Sequence, residues 1–326
     1  MKAFIRIVVL ALLLASVIAT GRSQPPKGAN APPPWAFPID TPNIPLKDDS
    51  GTLQHVPGSP VGLTLTQIRD IFNVPDWHPE AHPKMPEVVA HGRAPELRAC
   101  GYCHLPNGLG RPENSSLAGL PAVYFMEQVA DFKSGARRSS EPRMRPPSVM
   151  AALASFVTDA DVKAAAQYFT SLKLKRWVKV VESDTSPKTY VVGGMLLPLE
   201  GRTREPLGDR IIETPENPER TELRDASSRF IAYVPFGSVK KGEALVTTGG
   251  AGKTTACSMC HGADLRGLGP VPALAGRSPS YVFRQLYDMQ HGARYGAGTA
   301  LMQPVVANLS ESDMVAIAAY TGSREP

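Results

Sequence analysis

All four cysteines of this 326-residue chain fall in two copies of one five-residue pattern, Cys100-Gly-Tyr-Cys-His104 and Cys257-Ser-Met-Cys-His261. No other feature constrains the fold as strongly, because C-x-x-C-H is an attachment motif for haem c. Two thiols three residues apart span one helical turn, so each can form a thioether to one vinyl group of a porphyrin. The adjacent histidine then lies beneath the iron. Two other chemistries use C-x-x-C. A zinc site would need both pairs to meet on one metal, yet they lie 157 positions apart and each has its own histidine. A thioredoxin-like dithiol expects a single motif beside a βαβ pattern, and the flanks here read as helical. The expectation is two haem c groups, one on Cys100, Cys103 and His104, the other on Cys257, Cys260 and His261.

The motifs are part of a longer internal repeat. Thirteen positions separate each motif histidine from a Leu-Ala-Gly triplet, at Leu117 and at Leu274. Tyr124 matches Tyr281, Gln128 matches Gln285, and Gly-Ala-Arg recurs at 135–137 and 292–294, all at the same offset of 157. The first copy then carries five extra residues. At the new offset of 152, Met150 matches Met302, Thr158 matches Ser310, Asp161 matches Asp313 and Tyr168 matches Tyr320. A register kept over so many unlike residue types implies two homologous domains. Each is expected to end in an amphipathic helix, capped by Thr158 with Asp161 and by Ser310 with Asp313. Val162, Ala165, Ala166 and Phe169 form one apolar face, Met314, Ile317 and Ala318 the other, and Gly322 suits the second C-cap.

The histidines supply one axial ligand each, so the far face of each iron needs another. Met150 and Met302 each lie eight positions before a capping residue, on a stretch read as a loop able to cross that face. Their coincidence in the repeat makes His104 with Met150, and His261 with Met302, the expected iron ligands. Met144 is the rival in the first copy, because the five-residue insertion falls there. Met126 and Met289 read as core. A thioether ligand closes the iron, whereas an open face invites peroxide chemistry; two placed methionines argue against a haem peroxidase. The carbonyl of Pro272 is well placed to orient His261, and Ser115 occupies the matching position in the first copy.

Elsewhere the chain is less regular. Residues 1–21 read as a secretory signal peptide, with Lys2 and Arg6 before an apolar run from Ile7 to Ala19 that is short for a membrane span. Thioether attachment takes place outside the bacterial cytoplasm, so the expected compartment is the periplasm. Residues 22–85 read as an extended proline-rich arm, either wrapping the protein or left mobile, with one short helix between Thr64 and Phe72. His78 and His82 sit four apart, but Pro79 and Pro83 disfavour a helical metal pair. Residues 86–172 and 235–326 are the two domains. Between them, 173–234 reads as irregular with one or two short strands, at Trp177–Val181 and Tyr190–Val192. The net charge of +5 falls to +3 without Lys2 and Arg6, and no basic block points to nucleic acid.

The sequence C-x-x-C-H, Leu-Ala-Gly, Tyr-x3-Gln, then Met eight before Ser/Thr-x-x-Asp and a final Ala/Tyr-rich helix resembles class I cytochromes c. In tandem it resembles the di-haem cytochrome c4 group of periplasmic electron carriers. The match covers roughly 86–172 and 235–323 and leaves out the arm and the middle segment. The resemblance implies a mainly α fold, two helical domains each wrapped around haem, and an exposed haem edge. It also implies redox partners: a dehydrogenase or a quinol-oxidising complex of the cytochrome bc1 type as donor and an oxidase as acceptor. The alternative role is an electron-transfer subunit of a larger oxidoreductase; on either reading the chain is a carrier and not itself an enzyme.

Overall fold

The computed structural model describes residues 31–45 and 47–326; the expected signal peptide and the arm up to residue 30 lie outside them. Short helix α1 (Leu65–Arg69) starts where its capping residues place it. Gln67 N–H donates to Thr64 Oγ1, and Thr64 N–H donates back to Gln67 Oε1 at 2.8 Å. The first repeat copy supplies α2 (Glu87–Ala90), α3 (Cys100–His104), α4 (Ala122–Ser134), α5 (Arg145–Ala154) and α6 (Asp159–Ser171). The middle segment follows, with β1 (Val178–Glu182), β2 (Thr185–Pro187), β3 (Thr189–Val192), β4 (Met195–Pro198), β5 (Arg204–Pro206), β6 (Ile212–Pro215), α7 (Pro218–Glu222) and β7 (Phe230–Val234). The second copy is α8 (Ser238–Thr248), α9 (Ser258–His261), α10 (Pro279–Gln290), α11 (Gln303–Val306) and α12 (Glu311–Ser323). The fold is mainly α, with its strands in the middle segment. No helix of the described residues is long and apolar enough to cross a membrane.

The middle segment is more ordered than its composition suggests. In place of one or two strands it holds seven, in three small sheets: β1–β7–β6, β2–β5 and β3–β4. β1 runs parallel to β7, and β6 pairs antiparallel on its other side. β6 escapes a hydropathy reading because its sequence is Ile-Glu-Thr-Pro, yet all four residues are buried. Glu213 is tolerated there because Ser278 Oγ, Ser280 Oγ and Ser280 N–H donate to its Oε2 at 2.8, 2.8 and 3.1 Å.

The described part of the arm wraps. Trp35 packs on Phe283 (ring centroids 4.6 Å apart) and Phe37 on Tyr287 (5.4 Å), both rings of α10. Thr41 joins β3 through its N–H to Val191 O and through its Oγ1, which accepts from Val191 N–H. Farther on, Val56, Ile68 and Trp77 bury a small separate cluster with Leu223.

Both closing helices begin as their capping residues dictate, with complete capping boxes at Thr158/Asp161 and Ser310/Asp313. The second, however, is not amphipathic: Asp313 through Gly322 are all buried. It is enclosed by α8, α10 and β1, which leaves no face for water. Gly322 does not cap it either. The helix runs on to Ser323, and Gly322 lies against Pro279, where a Cβ would collide.

Candidate functional site

The same local frame surrounds both motif histidines. Nδ1–H of His104 donates to Ser115 O at 2.9 Å, and Nδ1–H of His261 donates to Pro272 O at 2.7 Å. A carbonyl can only accept, so these bonds put the proton on Nδ1 and leave Nε2 with a lone pair for a metal. Each loop closes identically: Gly110 N–H to His104 O (2.9 Å), Gly267 N–H to His261 O (2.8 Å). Each Leu-Ala-Gly triplet is pinned to the closing helix through its glycine, Gly119 N–H to Phe169 O and Gly276 N–H to Thr321 O, both near 3 Å. Both glycines have φ close to +70°, which accounts for the residue type.

A cavity of about 1390 Å³ opens at the first motif. Cys100, Cys103 and His104 line it together with Met150 and the apolar side chains of Leu120, Phe125, Val129, Leu153 and Ala165. Ligand cavities run from about 300 to 1,000 Å³, so this one has room for a large planar group. Met150 reaches it from helix α5 and not from a loop, the helix starting at the Arg145-Pro-Pro147 turn. Met144, the rival, is fully buried in the core and is not part of the cavity wall. Met302 sits where the 3-10 turn Ala297–Leu301 joins α11, half-buried against the core. Of the two methionines read as core, Met289 is buried but Met126 faces solvent. His78 lies 3.5 Å from Glu80 and 3.7 Å from Asp225. His82 contacts the Asp76 carboxylate at 3.1 Å, which pulls its pKa up.

Burial sets the protonation states. It depresses His104 to about 4 and shifts His261 downward too, so both are neutral imidazoles at neutral pH, the form that ligates a metal. Burial pushes the Cys100 thiol up to about 12 and Cys257 up to about 11. A redox-active C-x-x-C needs a low-pKa thiolate, and burial moves Cys100 and Cys257 in the opposite direction.

One group of functional side chains carries no individual sign in the sequence beyond its place in the repeat. Arg137 donates to Gln128 Oε1 (2.9 Å) in its own copy and to Tyr281 Oη (2.8 Å) and Gln285 Oε1 (3.1 Å) in the other. Arg294 mirrors it, donating to Gln285 Oε1 (3.1 Å), Tyr124 Oη (2.9 Å) and Gln128 Oε1 (2.7 Å). The backbones are joined there as well, Arg138 N–H to Ala293 O and Tyr295 N–H to Ala136 O, both at 2.8 Å. Burial alone would raise the Tyr281 phenol, but Arg137 and Arg294 outweigh it and hold it at about 8. Among the described residues neither arginine has a carboxylate at ion-pair distance, and Arg294 Nε is buried without a partner. Two buried cations with neutral partners, one of them on the cavity wall, fit a bound group that brings its own carboxylates, as haem does.

Comparisons with known proteins agree with this chemistry. The family model for cytochrome c matches residues 239–324. Cytochrome c-554(548) of Halomonas halodenitrificans is 40% identical over 77 residues, 23% of this chain and 93% of that protein. The thiosulfate dehydrogenase electron acceptor of Thiomonas intermedia is 27% identical over 71% of this chain and 80% of its own. Cytochrome c4 of Azotobacter vinelandii is 26% identical over 74% and 90%. Among solved structures, thiosulfate dehydrogenase from Marichromatium purpuratum aligns with a TM-score of 0.46 at 26% identity over 70% of this chain, which spans 37% of that one.

Proposed function

This chain belongs to the class I cytochromes c and is cytochrome c4-like, and on that premise we propose that it is a periplasmic two-haem electron carrier. Cys100 and Cys103 hold one haem c and Cys257 and Cys260 the other. His104 with Met150, and His261 with Met302, would ligate the irons. The bound group supplies a reversible one-electron couple whose potential depends on axial ligands and surroundings.

The observation that carries the reading is the cavity wall that brings Cys100, Cys103, His104 and Met150 together. The chain's own work is to hold and to exclude. Ser115 O and Pro272 O fix the two imidazoles in the tautomer that presents Nε2. The apolar wall keeps water from the site, and Arg137 on the cavity wall, with Arg294 beside it in the same hydrogen-bond network, would offer positive charge to the carboxylates of the bound group. Held by a histidine and a methionine of the chain, each group would supply one-electron chemistry with little rearrangement when charge changes, which suits a carrier.

The test is a haem count by pyridine haemochrome on purified protein, joined to the red charge-transfer band that methionine-ligated ferric haem shows. Two haems per chain and a full-strength band are expected. One haem, a missing band, or rapid carbon monoxide binding to the reduced protein would overturn the assignment. A second reading, service as the electron-accepting subunit of a sulfur-compound dehydrogenase, is favoured by the relative named for accepting electrons from thiosulfate dehydrogenase. Size-exclusion and pull-down from periplasmic extract separate the two, since a free monomer contradicts the subunit role.

A further inference from the structure

The repeat allows each motif to serve as the control for the other, and the comparison shows an asymmetry. Tyr102, inside the first motif, is 8% exposed; its repeat mate Met259 is 71% exposed. Arg111 has a side chain 12% exposed and paired with Glu113; its mate Leu268 is 63% exposed. Asn107 is half-buried, whereas its mate Asp264 stands in solvent, 3.8 Å from Arg266.

The difference comes from one turn of the middle segment, residues 223–226, which has no counterpart at the second motif among the described residues. Arg224 donates from Nη1 to Tyr102 O at 2.7 Å, and its guanidinium stacks 3.5 Å from the centre of the Tyr102 ring. Asn107 Nδ2 donates to Ala226 O at 2.5 Å. From the arm, Trp77 Nε1–H donates to Leu223 O at 2.8 Å and fixes the turn from behind. Inside the turn, Asp225 is buried and bound by Arg220. Arg224 also lines the cavity of the first motif, beside Cys103 and His104.

We propose that residues 223–226 are a cover over the first motif, latched by Arg224, and that electrons enter and leave the chain through the face around Met259 and Leu268 of the second. Tunnelling weakens steeply with distance, so a protein layer over the first motif would suppress direct exchange between an external donor and a haem held there. The first haem then exchanges electrons through the second. This rests on the two-haem reading above.

The kinetic test is stopped-flow reduction of the oxidised holoprotein by ascorbate; for each event one electron leaves an ascorbate anion and one ferric iron becomes ferrous. The double variant Met259→Glu/Leu268→Glu places two negative charges on the open face, at exposed positions. Reduction of both haems slows together, by roughly tenfold at low ionic strength, and salt removes the effect. If only half of the absorbance change slows, the first haem has its own route and the proposal falls. Adding Arg224→Ala to that variant releases one half to react fast. The structural readout is hydroxyl-radical footprinting of the holoprotein: Tyr102 is protected in the wild type and its labelling rises several-fold in Arg224→Ala. Strong Tyr102 labelling in the wild type, or none gained in the variant, refutes the cover. Should Arg224→Ala not fold, the double variant and the wild-type footprint still decide. A haem count other than two defeats the underlying reading; two haems that slow separately defeat only this inference.

Discussion

The matched capping boxes permit a stability prediction with its own internal control. Asp313 starts α12, where its Oδ2 accepts from Ser310 N–H at 2.9 Å and Ser310 Oγ at 2.7 Å, while Lys241 Nζ lies 2.9 Å from Oδ1 and Lys253 Nζ contacts Oδ2. Its side chain is almost wholly buried. Burial would raise its pKa, but the two lysines and Ser310 outweigh that and hold the carboxyl far below the usual range. In Asp313→Asn the cap acceptor survives, but two ammonium groups lose their counter-charge. Hydrogen bonds to charged groups contribute about 1.5–3 kcal/mol each. Both lysines are half-exposed and partly screened, so a total loss of about 3 kcal/mol is expected. Asp161, its repeat mate, keeps the same cap but faces one half-exposed cation, Arg93, in place of two; Asp161→Asn therefore costs less. Denaturant unfolding of the holoprotein, followed by circular dichroism, measures both as midpoint shifts. The sign with pH follows from the lowered pKa of folded Asp313. Its stabilisation is complete above the unfolded carboxylate value of about 3.9 and is lost as pH falls toward the folded one, so wild type and variant converge below about pH 4. Equal losses at the two sites, or a larger one at Asp161, would refute the reasoning.

Three other outcomes are expected. Met150→Ala converts one haem to a high-spin or water-ligated form, seen as loss of half the methionine charge-transfer band; Met144→Ala leaves the band intact and costs about 2–5 kcal/mol as a core cavity, because Met144 is fully buried off the cavity wall. Phe37→Ala costs about 3–5 kcal/mol and makes the arm a site of limited proteolysis, since Phe37 is one of its aromatic anchors on α10. Gly242→Ala, although it gains about 1 kcal/mol of helix propensity, is net destabilising in a thermal melt, because a Cβ there would collide with Ala316 O and Tyr320 on α12.

Much of the candidate site was legible before any coordinates. The two C-x-x-C-H motifs, the Leu-Ala-Gly triplets, the Pro272 carbonyl and both capping boxes depend on bonds that close within about a dozen residues. Such geometry follows from spacing, and a repeat doubles the signal. The place of Met150 in the repeat could be read by register alone, but its helical setting could not: a segment opening Arg145-Pro-Pro gives little periodicity from which to read a helix. Met126 was misplaced because a methionine on a helix carries no mark of which face it occupies.

What the chain determines by itself is therefore the cofactor chemistry, the duplication and the local frames around each histidine. What only the tertiary structure decided are the relations between segments far apart in sequence. β1 lies parallel to β7 some fifty residues later, and β6 is buried through serines of α10. Arg137 and Arg294 exchange partners across the two halves. Arg224 rests on Tyr102, more than a hundred residues before it, so two nearly identical motifs differ in exposure. The physical reason is common to all of these. Hydrogen-bond spacing and helical periodicity are written in neighbouring residues, but which surfaces meet depends on the path of the whole chain and on what each surface excludes from water.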